Sequence, residues 1–171
     1  MDPTPSALPD PHASRPRFPE GYGVPTTDEG LLPWSWARRE LDRSLVYWLV
    51  TVDPDGGPHA IPIWGAWVDD RFYCEGSPQT RYARNIARDP RVVVHLGSGD
   101  DVVIVEGTAT LLEALDPELV SRVQAGYAKY KEAKDYEPDP AGWPGALWEV
   151  RPRRARGWRR LDEATRWTWE R

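Results

Sequence analysis

Short runs of β-prone residues separated by turn residues recur along the 171-residue chain, and they constrain its fold more than any other feature. The first two runs, residues 45–52 and 58–68, flank the turn Asp53-Pro54-Asp55-Gly56-Gly57, a pattern that predicts a β-hairpin. Further strands are predicted at 71–75, 91–96, 101–112, 146–151 and 153–160, with another extended segment at 165–169. Strands at this spacing, interrupted by a few helices, predict a mainly β (α+β) fold built as an antiparallel barrel.

Helices are predicted at three places between the strands: residues 34–44, 77–88 and 116–134. The second helix opens directly out of a strand, with Ser77 as its N-cap and Pro78 as its first helical residue. A glycine inside a strand often marks an irregularity in the pairing, so Gly107 predicts a β-bulge.

The first turn of the second helix is unusual because it contains no carboxylate. Such turns normally favour acidic residues, since the N-terminus of a helix carries a partial positive charge. Here Gln79 and Thr80 lead into Arg81 and Arg84, a set that is better suited to receiving an external anion such as a phosphate group. A capped surface helix with solvated arginines is the alternative interpretation.

The strand predicted at 58–68 is also irregular. Pro62 has no N–H for a β-ladder and Gly65 has no side chain to pack, so we expect something other than a neighbouring strand against it. Of the histidines, only His59, on this strand, has a position that suggests a function. The alternative is an edge strand that its proline protects from aggregation. A ligand with a phosphate at one end and a flat ring system at the other would use both the helix and the strand.

The composition indicates one cytoplasmic domain. Residues 1–25 are rich in proline and poor in large apolar residues, so we expect a disordered or extended arm followed by a single domain over 26–171. The single cysteine, Cys74, lies in an apolar run, where a small core residue is the simplest interpretation. No apolar run approaches a membrane span and no signal peptide is evident, which favours a cytoplasmic protein.

Other kinds of site have little support in the sequence. His12, His59 and His95 are scattered, without the spacing of a zinc or iron site, so no metal is expected. The arginine-rich segment 151–160 and the tryptophans after it could contact nucleic acid, but the rest of the chain is acidic and the formal net charge is -5. We therefore expect neither nucleic acid nor a membrane as a partner.

Three segments resemble a known family. In order along the chain, residues 57–64 (GPHAIPIW), 80–92 (TRYARNIARDPRV) and 105–109 (VEGTA) resemble the pyridoxamine 5'-phosphate oxidase-like split β-barrel proteins. The resemblance covers about residues 34–169 and is nearest to the branch of flavin- or deazaflavin-dependent oxidoreductases. It implies the FMN-binding split-barrel type of fold, a split antiparallel β-barrel with a few flanking helices.

The resemblance also implies a cofactor and a homodimer. FMN or a deazaflavin coenzyme of the F-420 type would lie at the interface between two subunits. The implied cofactor contacts belong to the irregular strand and to the first turn of the helix: His59, Ile61, Pro62, Ile63, Trp64, Gln79, Thr80, Arg81 and Arg84. The backbone around Pro62 would meet the ring, and Thr80, Arg81 and Arg84 would hold the phosphate.

Two departures from the family pattern concern the phosphate and the substrate. Tyr82 stands where the family often has a lysine, and the chain has Thr165-Arg166-Trp167-Thr168-Trp169 where true pyridoxamine-phosphate oxidases have an Arg-x-His motif for substrate. Pyridoxamine phosphate is therefore not the expected substrate. Tyr82, Arg166 and Trp167 are candidates to line the substrate site, and a structural role in the last strand is the alternative for Arg166 and Trp167.

The function implied by the resemblance is that of a flavin- or deazaflavin-dependent oxidoreductase, which transfers hydride between the cofactor ring and a small organic substrate. No residue stands out as a general acid or base, so the reaction would depend on the cofactor ring and on substrate positioning. The alternative is a non-catalytic split-barrel module that binds flavin, haem or tetrapyrrole.

Overall fold

The computed structural model describes residues 8–169, which contain nine β-strands and four α-helices. The strands are β1 (His12–Ser14), β2 (Tyr47–Val52), β3 (Pro58–Ile63), β4 (Ala66–Val68), β5 (Arg71–Glu75), β6 (Arg91–Leu96), β7 (Val102–Leu112), β8 (Leu147–Trp158) and β9 (Thr165–Thr168). The α-helices are α1 (Trp34–Arg43), α2 (Arg81–Arg88), α3 (Pro117–Tyr127) and α4 (Lys129–Lys134). None of these helices is long and apolar enough to cross a membrane.

The strands form one antiparallel sheet that does not close into a complete barrel. Its order is β1-β9-β8-β7-β6-β2-β3, and the hairpin β4-β5 joins it because β5 also pairs with β8. No strand described in residues 8–169 links β3 to the β4-β5 hairpin, so the barrel is split. The predicted fold class, a split antiparallel β-barrel with flanking helices, is confirmed.

Strand β8 differs from its prediction in one respect, and its pairing with β7 confirms the prediction of a bulge. The segments predicted as two strands, 146–151 and 153–160, form a single strand that continues through Pro152. The register between β7 and β8 shifts between Glu106 and Gly107, which confirms the predicted bulge. Gly107 faces Pro152 across this irregular pairing, where the missing N–H of a proline is tolerated.

The main core lies between the inner face of the sheet and helices α1 and α2. In β2, for example, Tyr47 and Leu49 are buried on the inner face, whereas Trp48 and Val50 are half-buried on the outer face. Cys74 is fully buried, as predicted, and burial raises the pKa of its thiol to about 12, so the thiol stays protonated. A second cluster packs α3 and α4 against β4 and β5.

Part of the proline-rich N-terminal segment belongs to the sheet, because β1 pairs with β9. Beside it, the guanidinium of Arg15 donates hydrogen bonds to the backbone oxygens of Thr27, Asp162 and Ala164 at 3.1, 2.9 and 2.8 Å. This part of the predicted arm is thus extended and attached to the sheet. Residues 1–7 lie outside the described range, and the domain boundary at residue 25 stays a prediction.

Candidate functional site

Helix α2 begins later than the sequence predicted. Its N-cap is Thr80, whose side-chain oxygen accepts a hydrogen bond from the backbone N–H of Ala83 at 3.3 Å, and Arg81 is its first residue. Ser77 and Pro78 form a separate turn, which the N–H of Thr80 closes onto the Ser77 carbonyl at 3.1 Å. Ser77 and Thr80 are both good N-cap residues, and only Thr80 has its oxygen next to the free N–H groups of the helix.

The first turn of α2 offers hydrogen-bond donors to an anion. Within residues 8–169, no acceptor contacts the backbone N–H groups of Arg81 and Tyr82. Gln79 is exposed, and its carbonyl oxygen accepts a hydrogen bond from the exposed side chain of Arg84 at 2.7 Å. The turn contains no carboxylate. Free N–H groups flanked by cations are the arrangement with which helix N-termini bind phosphate.

Arg81 already has an anionic partner inside the protein. Its Nε donates to Asp53 Oδ1 at 3.0 Å and its Nη2 donates to Asp53 Oδ2, which makes a two-point ion pair. The same carboxylate accepts a hydrogen bond from Asn85 Nδ2 at 2.8 Å. Hydrogen bonds from Arg81 and Asn85 lower the pKa of Asp53, so this group is a carboxylate at neutral pH. The side chain of Arg81 remains 61% exposed and is therefore accessible to a second anion.

Strand β3 provides an unpaired edge on the same side of the molecule. Among the strands described for residues 8–169 it pairs only with β2, so Pro62 lies in an edge strand. His59, Ile61 and Ile63 are half-buried on one side of β3, and Pro62 is exposed on the other. This position agrees with the interpretation of residues 58–63 as an edge strand. The unpaired edge also leaves main-chain groups available to a ligand.

A network of hydrogen bonds connects α2 to β3. Asn85 Nδ2 donates to Thr51 Oγ1 at 3.0 Å as well as to Asp53, and Thr51 Oγ1 lies 3.4 Å from His59 Nδ1. We call Arg81, Asp53, Asn85, Thr51 and His59 the helix–strand network. The network connects the first turn of α2, where the cofactor phosphate is predicted, to β3, where the cofactor ring is predicted.

Three members of this network, Thr51, Asp53 and Asn85, were not predicted from the sequence. Asp53 follows β2 in a turn sequence, where a solvated aspartate is the ordinary interpretation. Only the packing of α2 against β2 brings Asn85 to Thr51 and Asp53. No local sequence signal distinguishes Asn85 from a solvated residue, whereas the structure shows that its side chain is buried.

Trp64, another predicted cofactor contact, follows the last residue of β3. Its ring is 36% exposed and stacks on the ring of Tyr130, with the ring centres 5.3 Å apart. The next residue, Gly65, donates its N–H to the Tyr130 hydroxyl at 2.9 Å. A Cβ atom at Gly65 would lie 2.4 Å from the ring of Phe72, so close packing requires a glycine there.

Two of the three substrate candidates are buried. The ring of Tyr82 is 6% exposed and packs edge to face against Trp148, with the ring centres 6.3 Å apart. Trp167 is fully buried among other tryptophans of the core. Arg166 lies on the other face of β9, where its Nη2 donates to Ser14 Oγ at 3.0 Å. In this structure Tyr82 and Trp167 pack the core, and Arg166 holds β1 against β9.

The split barrel and the helix–strand network together define a class of protein, a split-barrel protein with a candidate site for an anionic ligand. Residues 36–159 match the family model described as pyridoxamine 5'-phosphate oxidase. This match covers more than half of the chain, and the protein therefore belongs to the pyridoxamine 5'-phosphate oxidase family. No curated protein matches its sequence.

Solved structures share the fold. A conserved hypothetical protein from Mycobacterium tuberculosis is 27% identical, with a TM-score of 0.59 over 75% of this chain and 85% of that one. A heme binding protein from Mycobacterium smegmatis is 21% identical, with a TM-score of 0.57 over 77% and 57% of the two chains. General Stress Protein 26 from Bacillus anthracis is 22% identical, with a TM-score of 0.55 over 72% and 92%. The last two likenesses show the fold alone, so the flavin or deazaflavin branch stays a prediction.

Proposed function

We propose that this protein is a cytoplasmic oxidoreductase that uses FMN or a deazaflavin coenzyme of the F-420 type to transfer hydride to or from a small organic substrate. The observation that carries the proposal is the helix–strand network, which joins the donor-rich first turn of α2 to the unpaired edge of β3. A cofactor with a phosphate at one end and a flat ring at the other matches this arrangement in shape and in charge.

The residues at the start of α2 fit a phosphate group. The backbone N–H groups of Arg81 and Tyr82 would each donate to a phosphate oxygen, and Arg84 would add a charge-assisted hydrogen bond. Arg81 has five N–H donors, of which Asp53 engages those on Nε and Nη2. The remaining donors of Arg81 stay available, and the ion pair fixes the direction in which its guanidinium points.

The residues of β3 would hold the ring. Main-chain groups around Ile61 and Pro62 lie on the unpaired edge, with His59 towards one end of the strand and Trp64 just beyond the other. The bound cofactor supplies the hydride chemistry. The protein would position the substrate against the ring, and His59 is the one imidazole of the network.

We propose in addition that the protein is a homodimer, with the cofactor at the interface. One end of the outer face carries an apolar patch, with His95 and Arg156 beside Ile104: Val46, Trp48, Val102, Ile104 and Trp158. Val46 is 38% exposed and the others are half-buried, so a second copy of the chain would remove this patch from water.

The test of the proposed function starts from the purified protein. The absorbance spectrum and the mass of any copurifying chromophore are recorded, and the chromophore-free protein is then titrated with FMN and with F-420 while the cofactor fluorescence is followed. Binding of one of them at micromolar concentrations, followed by turnover of an unsaturated or carbonyl-bearing acceptor, is the expected result. Failure to bind either cofactor would contradict the proposal.

A second candidate function is a non-catalytic module that retains flavin, haem or tetrapyrrole. It is favoured by the helix–strand network, because its one carboxylate, Asp53, is already held by Arg81 and Asn85 and is not free to act as a general base. Tight retention of a chromophore, without turnover against a panel of acceptors, would select this function over the oxidoreductase.

A further inference from the structure

A large cavity lies on the outer face of the sheet, and no residue of α2 lines it. It has a volume of about 980 Å³ and opens where β7 and β8 pair irregularly. Its apolar wall includes Val50, Val93, Pro152 and Trp169. None of the residues 79–84 and none of the residues 59–64 line it, and Thr51 is the one residue of the helix–strand network among its lining residues.

Arginine dominates the charged part of the cavity wall. Arg91, Arg151, Arg153 and Arg154 line it, and Glu106 is the one carboxylate among its lining residues. The whole chain has a formal net charge of -5, so the local charge of this cavity wall is opposite in sign to the net charge of the protein. We call these four residues the arginine cluster.

The bulge explains how consecutive arginines come to line one cavity. Glu106 pairs with Arg154 and Gly107 pairs with Pro152, which leaves Arg153 as the extra residue of β8. In a regular strand Arg153 and Arg154 would point to opposite faces of the sheet. At this bulge Pro152 and Ala155 are buried, while Arg153 is exposed and Arg154 half-buried, so both arginines reach the outer face.

Several donors in the cluster have no acceptor. Within residues 8–169, the side chains of Arg151 and Arg153 have no hydrogen-bond or ion-pair partner. Arg154 bonds Glu106 through Nη2, but its buried Nε has no acceptor in the described structure, and neither does the buried Nε1 of Trp169. These two N–H groups are shielded from solvent, whereas Arg151 and Arg153 are exposed, so their guanidinium groups are accessible to an anion.

We propose that this cavity binds an anionic small molecule whose apolar body carries a phosphate or a carboxylate group. The arginine cluster would receive the anionic group, chiefly through the exposed guanidinium groups of Arg151 and Arg153. Val50, Val93 and the ring of Trp169 would contact the apolar body. The site is independent of the cofactor phosphate, whose donors belong to α2.

The experiment measures binding to the full-length protein by calorimetry at low ionic strength. The probe is α-naphthyl phosphate, which joins an aromatic body to a phosphate dianion, and α-naphthol is the uncharged control. Arg153→Gln and Arg151→Gln each remove one charge from the cluster without breaking an ion pair. Arg160→Gln is the matched control, because Arg160 is exposed, pairs with Asp162 and does not line the cavity.

The expected result is that α-naphthyl phosphate binds and α-naphthol binds much more weakly. Arg153→Gln and Arg151→Gln should each weaken binding of the phosphate by about tenfold, whereas Arg160→Gln should leave it unchanged. Arg81→Gln, which alters the cofactor site, should also leave it unchanged. The proposal is overturned if the probe does not bind, if α-naphthol binds equally well, or if Arg81→Gln and not Arg153→Gln removes binding.

Discussion

At the scale of single residues, the ion pair between Asp53 and Arg81 decides how the anion site of α2 behaves. The carboxylate of Asp53 is almost fully buried and is held by Asn85, whereas the side chain of Arg81 is largely exposed. An incoming phosphate therefore shares Arg81 with a fixed internal carboxylate. Asp53 competes with the phosphate for this arginine, and it also holds the guanidinium in one orientation.

Replacement of Arg81 by alanine should weaken binding of FMN or F-420 by about 10- to 100-fold, because a charge-assisted hydrogen bond to the phosphate is lost. Asp53→Asn should tighten binding, since it removes the competing charge and can still accept the bond from Asn85. Both changes are measured by fluorescence titration, with the exposed Arg43→Ala as the control. Unchanged affinity in Arg81→Ala would place the phosphate elsewhere on the protein.

Lys129 gives a second prediction, which concerns pH. Its Nζ donates to the Tyr47 hydroxyl at 2.7 Å and to the Asp42 carbonyl at 2.8 Å, and burial lowers its pKa from 10.5 to about 8. Between these two pH values the unfolded chain binds more protons than the folded protein. The free energy of unfolding should therefore rise with pH between about 8 and about 10.5, and this contribution is lost again as the pH falls from about 10.5 to about 8.

Denaturant unfolding at a series of pH values measures this contribution. Lys129→Met should remove it, so that the difference in unfolding free energy between the two proteins changes across this pH range. Lys131→Met is the control, because Lys131 is exposed and pairs with Glu137 at the surface. Parallel pH profiles for wild type and Lys129→Met would contradict the prediction.

At the scale of elements, local sequence patterns predicted most strands and helices, because alternation, turn residues and caps act over a few residues. The predicted start of α2 was wrong. Ser77 and Thr80 are both good N-cap residues, and only the turn from Ser77 to Thr80 shows that the helix begins at the second of them. The predicted division into two strands at Pro152 was also wrong. The bulge in the pairing of β7 with β8 accommodates a proline that would end a regular strand. Strand β1 has no local signal at all, since its partner lies at the other end of the chain.

The β7–β8 bulge can be tested through its glycine. A Cβ atom at Gly107 would lie 2.3 Å from the carbonyl oxygen of Arg151, so Gly107→Ala requires the two backbones to separate. We expect the free energy of unfolding to fall by about 1–3 kcal/mol in chemical denaturation. Gly99→Ala, at a position with no atom within 4 Å of the added Cβ, should change it much less. Equal stability of the two variants would show that the bulge tolerates a side chain.

At the scale of the whole molecule, the two faces of the sheet have different roles. The inner face is the core, and the outer face carries the apolar patch at one end and the arginine cluster at the other. The sequence was sufficient to predict the family and its split barrel, because three motifs occur in the right order. It was not sufficient for the helix–strand network, whose bonds join Asp53 and Asn85 across separate elements.

The proposed homodimer predicts the effect of a charge in the apolar patch. Ile104 lies on the outer face of β7, paired with Arg156 on one side and His95 on the other. Ile104→Arg should place a buried charge at the interface and give a folded monomer in sedimentation equilibrium, with an unchanged circular dichroism spectrum. Thr110→Arg, at an exposed position of the same strand, should remain dimeric. A wild-type chain that is itself monomeric at micromolar concentrations would contradict the proposal.

The pairing of β1 with β9 has a consequence for the order of folding. His12 meets Thr168 in this ladder, so the contact closes a loop that contains nearly all of the described chain. Such a contact has a high entropic cost and forms late, after the ribosome has released residue 168. Until then β1 has no partner, and a newly formed β9 presents an unpaired edge to other chains. The last step of folding therefore replaces the open edge of β9 with the short edge strand β1.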